Sequence, residues 1–249
     1  MSSRATRRVG LKVSAFLVRG VLVDTGFPRL VDEVRQVLDP ARMRGAIVTH
    51  YHEDHAGNVD LLASLGIPVR MSGETRRLVA DPARVGLYRH FTWGPPRRVV
   101  RLPDDLVVDD LDFVPTPGHS ADHHVVWDPS DGSLFGGDLF LGVKVRVAHH
   151  HEDVRGTMDS LRRVIALEPA RLFDAHRGMV AAPTDLLRAK LQWMSDTVGA
   201  IEARHHAGAS EGAILREVLQ GEELIGWLSA GDYSRRNFVH AVLASMPRP

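Results

Sequence analysis

Between Val13 and Ala175 the apolar residues switch repeatedly between a period of two and a period near that of a helix. This alternation restricts the chain to a mixed α/β fold. Val13-Ser14-Ala15-Phe16-Leu17 and Val21-Leu22-Val23 flank Arg19-Gly20 as a hairpin-like pair. Leu30, Val34, Val37 and Leu38 recur at helical spacing until Asp39-Pro40 stops them. Residues 45–49 read as a short buried strand, and Val59, Leu62 and Leu65 as one face of a helix closed by Gly66 and Pro68. A strand over 68–72 and a helix over 74–80 follow. The middle is strand-rich: RVVRL, DLVVDDLDFVPT, HHVVWD and SLFGGD between residues 98 and 140. Val154, Met158, Leu161 and Ile165 predict an amphipathic helix ending at Glu168-Pro169, and 171–175 reads as one more buried strand.

From about Pro183 the pattern becomes purely helical. Thr184 is expected to cap a long helix carrying Leu187, Leu191, Met194, Val198 and Ile201; Ser210-Glu211 starts a second, and Ser234 a third containing Phe238, Val239 and Val242. The expected division is therefore a mixed α/β body over 1–182 and a helical region over 183–249.

Five stretches of the body put an acid or a histidine just beyond a strand. The richest stretch is THYHEDHAGN, Thr49–Asn58, with three histidines and two acids between His50 and His55. Such crowding gains little unless a cation sits among the groups. The chain has no cysteine, so any ion must be held by histidine and carboxylate. In an extended segment residues two apart face the same way, so His50 and His52 can chelate one ion while Asp54 and His55 reach a second. Two ions close together need a bridging acid and further imidazoles. His119 of TPGHSADH, Asp138 of FGGDLF and His176 of FDAHRG are the natural suppliers, and VDTG at 23–26 adds a further strand-end acid. All-N/O ligation suits Zn²⁺ best, with Fe²⁺ or Mn²⁺ as alternatives.

The order and spacing of these five motifs resemble the metallo-β-lactamase-fold superfamily, through residues 9 to about 182. The resemblance implies a four-layer αββα sandwich, here with a C-terminal all-helical appendage. It further implies that His50, His52 and His119 hold one Zn²⁺, that Asp54, His55 and His176 hold a second, and that Asp138 bridges them. Asp24 would steady the 50–55 loop, and Thr49 and Thr116, which flank ligands, could hydrogen-bond them. Two cations sharing a water would lower its pKa towards ~7 and supply hydroxide, with Asp54 orienting the nucleophile or shuttling its proton.

Departures from the better-known subfamilies narrow the substrate. True β-lactamases of this fold carry Cys or Ser where this chain has Asp138. Glyoxalase II enzymes share the aspartate, but their Gly-Cys-Gly-Arg stretch is replaced here by LGVKVRVAHHHED. Acyl-homoserine lactonases have runs similar to TPGHSADH but place a tyrosine where Phe140 and Leu141 stand. The expected activity is hydrolysis of an ester-type bond, lactone or thioester, on a small molecule. Phosphodiester cleavage of the small-endoribonuclease kind, mono-iron persulfide oxidation and a metal-containing binding module with little turnover stay open as alternatives. Formal net charge is zero, which does not favour a nucleic-acid partner without excluding one.

MSSRATRRVG is followed by an alternating segment instead of a continuous apolar run, and no window approaches the ~18 apolar residues of a membrane span. A cytoplasmic protein without membrane contact is expected. The helical region could wall the pocket, with Arg235, Arg236 and Asn237 binding an anionic substrate end, or its heptad-like stripe could form a homodimer. Among weaker signals, His149-His150-His151 reads as a solvated loop sooner than a pocket wall, and one of His123 and His124 is expected to face the core. Tyr88–Pro96, aromatic and broken by Gly and Pro, is the first choice for a lid-like specificity loop. Asp104–Asp112 reads as a solvated strand edge, and His205 and His206 as charges at a helix end.

Overall fold

The structure is a computed structural model that describes residues 12–101 and 103–246. The basic opening MSSRATRRVG and Leu102 of RVVRL lie outside the described residues. The chain folds as two compact units. The first takes in the chain up to Pro115, Asp122–Asp138 and Ala170–Ala181; the second takes in Thr116–Ala121, Leu139–Pro169 and the chain from Ala182 onward.

The first unit contains two sheets. One has the order β1 (Phe16–Val18), β2 (Val21–Val23), β3 (Gly45–Ile47), β4 (Val69–Arg70). β1 and β2 form the expected hairpin, turning through Arg19 (φ +49°) and Gly20 (φ +78°), the left-handed pair that matches strand twist. β2, β3 and β4 are parallel, linked by α1 (Val31–Val37) and α2 (Val59–Ser64). α3 (Gly73–Ala80) follows, its first turn capped by Ser72, whose hydroxyl accepts the Thr75 N–H. The second sheet runs β10 (Gly178–Val180), β9 (Arg171–Asp174), β7 (Ser133–Phe135), β6 (His124–Asp128), β5 (Asp112–Pro115), antiparallel except for the parallel β7–β9 pair. Val21, Val23 and Ile47 of one sheet and Val126 and Phe135 of the other are buried in one apolar cluster, which fixes the register of both. Phe16, Phe135 and Phe173 meet within it at centroid distances of 5.0–5.6 Å. Ala46, Val48, Val59, Leu62, Ile67 and Val69 form a second cluster, which buries the apolar face of α2.

The strand-rich expectation for 98–112 is too generous. Neither 98–101 nor 104–109 is assigned to a strand. The segment is extended, with Leu106 and Val108 inward and Val107 outward, but its contact with β4 among the described residues is one backbone bond, Val69 N–H to Asp104 O at 2.8 Å, and one side-chain bond, Arg70 Nη1 to Val108 O at 3.3 Å. Alternation therefore reports which side chains are buried without guaranteeing a strand partner.

In the second unit β8 (Ala148–His149) pairs antiparallel with β11 (Tyr233–Ser234). Helices α5 (Val154–Ile165), α6 (Pro183–His206), α7 (Glu211–Leu219), α8 (Leu224–Leu228) and α9 (Arg235–Ala244) complete it. Leu187, Met194, Val198 and Ile201 bury one face of α6, and Phe238, Val239 and Val242 one face of α9. Ser210 and Ser234 cap α7 and α9 as expected. Thr184 does not cap α6: Ala182 occupies the cap at φ +48°, Pro183 opens the helix where no N–H is needed, and Thr184 Oγ1 donates to Pro169 O. Arg235 and Asn237 are not available to a substrate anion. Arg235 Nη1 donates to Leu219 O and Gly221 O, and Asn237 Nδ2 to the carbonyls of Ala148, Gly231 and Asp232. No helix among the described residues is long and apolar enough to cross a membrane.

Candidate metal centre

Four strands of the first unit, β2, β3, β7 and β9, run into loops just beyond their carboxyl ends, the usual place for a site in an α/β sheet. β2 leads to Asp24, which is buried and held at φ +61°, a left-handed conformation that costs a non-glycine residue free energy. Its carboxylate is surrounded by donors. Oδ1 accepts the Thr49 N–H at 2.8 Å and the Thr49 hydroxyl at 2.9 Å, and Oδ2 lies 2.7 Å from His55 Nδ1. Asp24 thus ties the start of the loop after β3 to its end.

That loop is a tight turn, with His55 and Ala56 N–H both donating to His52 O. Gly57 closes it, because a Cβ there would sit 2.2 Å from Glu53 O and 2.5 Å from Pro28 Cδ. His50, His52 and His55 are all buried. Thr49 Oγ1, whose proton goes to Asp24, lies 3.0 Å from His50 Nδ1 and is placed to accept from it. His55 Nδ1 against Asp24 fixes the same tautomer. Both rings therefore turn Nε2 inward, the way outer hydrogen bonds orient metal-binding histidines.

His55 Nε2 lies 3.2 Å from Asp138 Oδ1 and 3.8 Å from Asp54 Oδ2. His176, just beyond β9, repeats the pattern: Nδ1 is 2.9 Å from Lys12 O, and Nε2 is 3.2 Å from Asp138 Oδ1 and 3.4 Å from Asp54 Oδ2. His50, His52 and Asp138 offer ligand atoms within 4.8 Å of one another, and so do Asp54, His55 and His176. Asp138 reaches both groups. Burial alone would lower the His55 and His176 pKa values, but Asp138, joined by Asp24 and Asp54 at His55 and by Asp54 at His176, raises them, His176 to about 9. Burial would raise Asp138, yet His176 and His55 hold it well below the usual carboxylate range. Buried imidazoles aimed at shared carboxylates within ligand distance fit a divalent ion, which would take the place of the protons that otherwise hold the cluster together.

The other expected site residues fall as follows. His119 and Thr116 belong to the second unit and are buried. His119 Nδ1 is 3.4 Å from Glu152 Oε1, whose carboxylate also accepts the His149 N–H at 2.9 Å. His149 is buried in β8 with its ring beside that of Tyr233, which corrects the solvated-loop expectation; His150 and His151 are exposed. His123 is the core-facing member of its pair, with Nε2 accepting the Asp138 N–H at 3.1 Å. Gly137, at φ +49°, leaves room for that ring. His124 stacks on Phe113, and burial lowers its pKa. Sequence reasoning passes over Asp122, which accepts Tyr51 N–H at 2.8 Å and the Thr75 hydroxyl at 2.7 Å, and over Glu152 and Glu53. The acids lie inside or beside the quoted motifs, but nothing local distinguishes them from solvated carboxylates.

The profile of the metallo-beta-lactamase superfamily matches residues 8–176, about two thirds of the chain. The chain belongs to the metallo-β-lactamase superfamily. A beta-lactamase-like protein 2 homolog of Caenorhabditis elegans is 27% identical over 71% of this chain and 62% of its own length, so the match spans less than two thirds of that relative. An atrochrysone carboxyl ACP thioesterase of Aspergillus fumigatus is 27% identical over 51% of this chain and 36% of its own length. Among solved structures, a metallo-β-lactamase family protein from Thermus thermophilus superposes with a TM-score of 0.65 at 17% identity, covering 94% of this chain and 87% of that one. That likeness shows the fold, and membership of the superfamily supports a metal-dependent hydrolase.

Proposed function

We propose that this metallo-β-lactamase superfamily member is a hydrolase of two divalent ions, zinc by preference, acting on an ester-type bond of a small molecule, thioester or lactone. The observation that carries the reading is the pair of imidazoles, His55 and His176, whose Nδ1 atoms are engaged from behind while both Nε2 atoms converge on Asp138 and Asp54. His50, His52 and His119 would hold one ion, Asp54, His55 and His176 the other, and Asp138 both. When bound, such a pair supplies Lewis acidity that activates water and polarises a carbonyl oxygen. Asp24 keeps the His55 ring in the tautomer that leaves Nε2 open, Thr49 does the same for His50, and Thr116 flanks the His119 motif. Asp54, whose Oδ2 faces His176 Nε2 at 3.4 Å, would orient the nucleophile or shuttle its proton. Trp93, with its ring centroid 6.1 Å from that of His176, offers an apolar wall against which a substrate can exclude water.

A thioesterase among the relatives and zero net charge favour the ester-type bond over a polyanionic substrate. We assign catalysis to the body over 1–182 and a supporting role to residues 183–249, in a cytoplasmic enzyme. The test is a panel of acyl thioesters and lactones with the native protein, His52→Ala and Asp138→Ala. Turnover of a thioester or lactone by the native protein, lost with bound metal in both variants, is expected. Full activity in either variant would overturn the dinuclear assignment.

A further inference from the structure

The segment singled out as a specificity loop contains a short helix, α4 (Leu87–Thr92), with Leu87 and Phe91 exposed. In its middle is Arg89, 6% exposed, whose guanidinium forms a two-pronged bond with Glu53: Nε to Oε1 at 2.6 Å and Nη2 to Oε2 at 2.5 Å. Glu53 is itself 4% exposed and sits between His52 and Asp54 in the turn that carries the candidate ligands. Arg89 also feels the field of Asp54; burial disfavours its charge, but Glu53 and Asp54 together raise its pKa. The helix is fastened at its far end as well. Trp93 and Gly94 N–H donate to Arg89 O, Arg29 Nη2 donates to His90 O, and the Trp93 ring lies 5.0 Å from Phe27 and 6.1 Å from His176. A burial this complete is costly for two charges unless they are paired, and a hydrophobic pair would serve packing as well or better. What the ion pair adds is direction, since a planar guanidinium fixes a carboxylate in orientation as well as distance.

We propose that the Arg89–Glu53 pair is a positioning device for the metal centre: it sets the turn so that Asp54 and His55 face the second ion, and it binds the Trp93 wall to that turn. The inference rests on the proposed dinuclear reading. It makes the segment a fixed wall whose placement and metal loading stand or fall together, and it marks Arg89 as a residue that acts through Asp54 and His55 without touching substrate. Three variants separate positioning from plain structure. Arg89→Met leaves Glu53 buried without its partner and is expected to lose stability and metal together. The double variant E53Q/R89M removes both charges and is expected to recover the fold, as judged by circular dichroism and the urea midpoint, but not the orientation. R89K keeps the charge and the fold but not the two-pronged grip.

The readout is metal affinity by chelator competition with elemental analysis. In E53Q/R89M the second ion is expected to weaken by about 10–100-fold, the range for outer partners of metal ligands, while the first is retained. R89K is expected to fall between it and the native protein. The Trp93-dependent part of the fluorescence change on metal addition, taken as the difference from a W93F background, is expected to be smaller in both than in the native protein. Native-like affinity for both ions in a folded double variant or in R89K overturns the positioning role and leaves the hydrolase reading intact. Absence of tight metal from the native protein itself would instead overturn that reading.

Discussion

Asp24→Asn is the sharpest single perturbation because it changes one atom and reverses one hydrogen bond. Oδ1 of Asp24 serves the Thr49 N–H and hydroxyl, both donors, so an asparagine would keep its carbonyl oxygen there. Its NH₂ would then face His55 Nδ1 at the position where Oδ2 now lies at 2.7 Å. Two donors cannot share that contact. The imidazole must move its proton to Nε2, where Asp138 Oδ1 lies 3.2 Å away to accept it. A ring protonated at Nε2 is no longer a ligand for an ion at Asp138. The fold is expected to survive, since the Thr49 bonds persist and volume is unchanged. Metal affinity at the second position should fall by about 10–100-fold, or roughly 1.4–2.8 kcal/mol. Chelator competition followed by elemental analysis measures it, with a denaturation curve as the control for folding. Native-like affinity in a folded D24N protein would refute the tautomer argument and with it the assignment of His55 Nε2 as a ligand.

Gly137→Ala is expected to destabilise the protein by about 1–3 kcal/mol, because a Cβ would lie 2.8 Å from His123 Nε2 and 3.0 Å from Thr49 Oγ1 on a backbone at φ +49°; a shift of the urea midpoint measures this, and an unchanged midpoint counts against the packing described. Loading metal into chelator-treated protein at pH 7 should release protons, because burial notwithstanding, Asp138 and Asp54 raise His176 to about 9 when no ion is bound. Calorimetric titrations in two buffers of different ionisation enthalpy give the count, and equal heats would contradict it. Because the raised His176 binds its proton more tightly folded than unfolded, its contribution to metal-free stability is full below about pH 6.5 and is lost as pH rises towards 9. Chelator-treated protein should therefore melt lower at pH 9 than at pH 6.5, with the difference shrinking on metal addition. Asp54→Asn should lower turnover even where some metal stays bound, and unchanged turnover would remove Asp54 from the mechanism.

Much of this site stands out in the sequence because its members are local: His50, His52, Asp54 and His55 crowd six positions, and the rest follow predicted strands. The residues that hold them do not stand out, because their partners are distant in the chain. Arg89 is 36 positions from Glu53, and His123 is 15 from the Asp138 N–H that it accepts. Periodicity carries the burial side of the fold well, as in α5, where Val154, Met158 and Leu161 of the expected face are buried and Val164 takes the place of the half-buried Ile165. It says less about pairing, so 104–109 alternates like a strand yet lies along a sheet with only isolated backbone bonds. His149 illustrates the same limit. A run of three histidines looks solvated until β11, more than 80 residues on, supplies the strand that buries the first of them.

The central claim is that the converging imidazoles and carboxylates hold a pair of divalent ions. Elemental mass spectrometry on freshly purified protein, set against protein concentration, tests it most directly. About two zinc ions per chain, falling sharply in His52→Ala and Asp138→Ala, is the predicted result. One iron per chain, or metal content unchanged by either substitution, would contradict it.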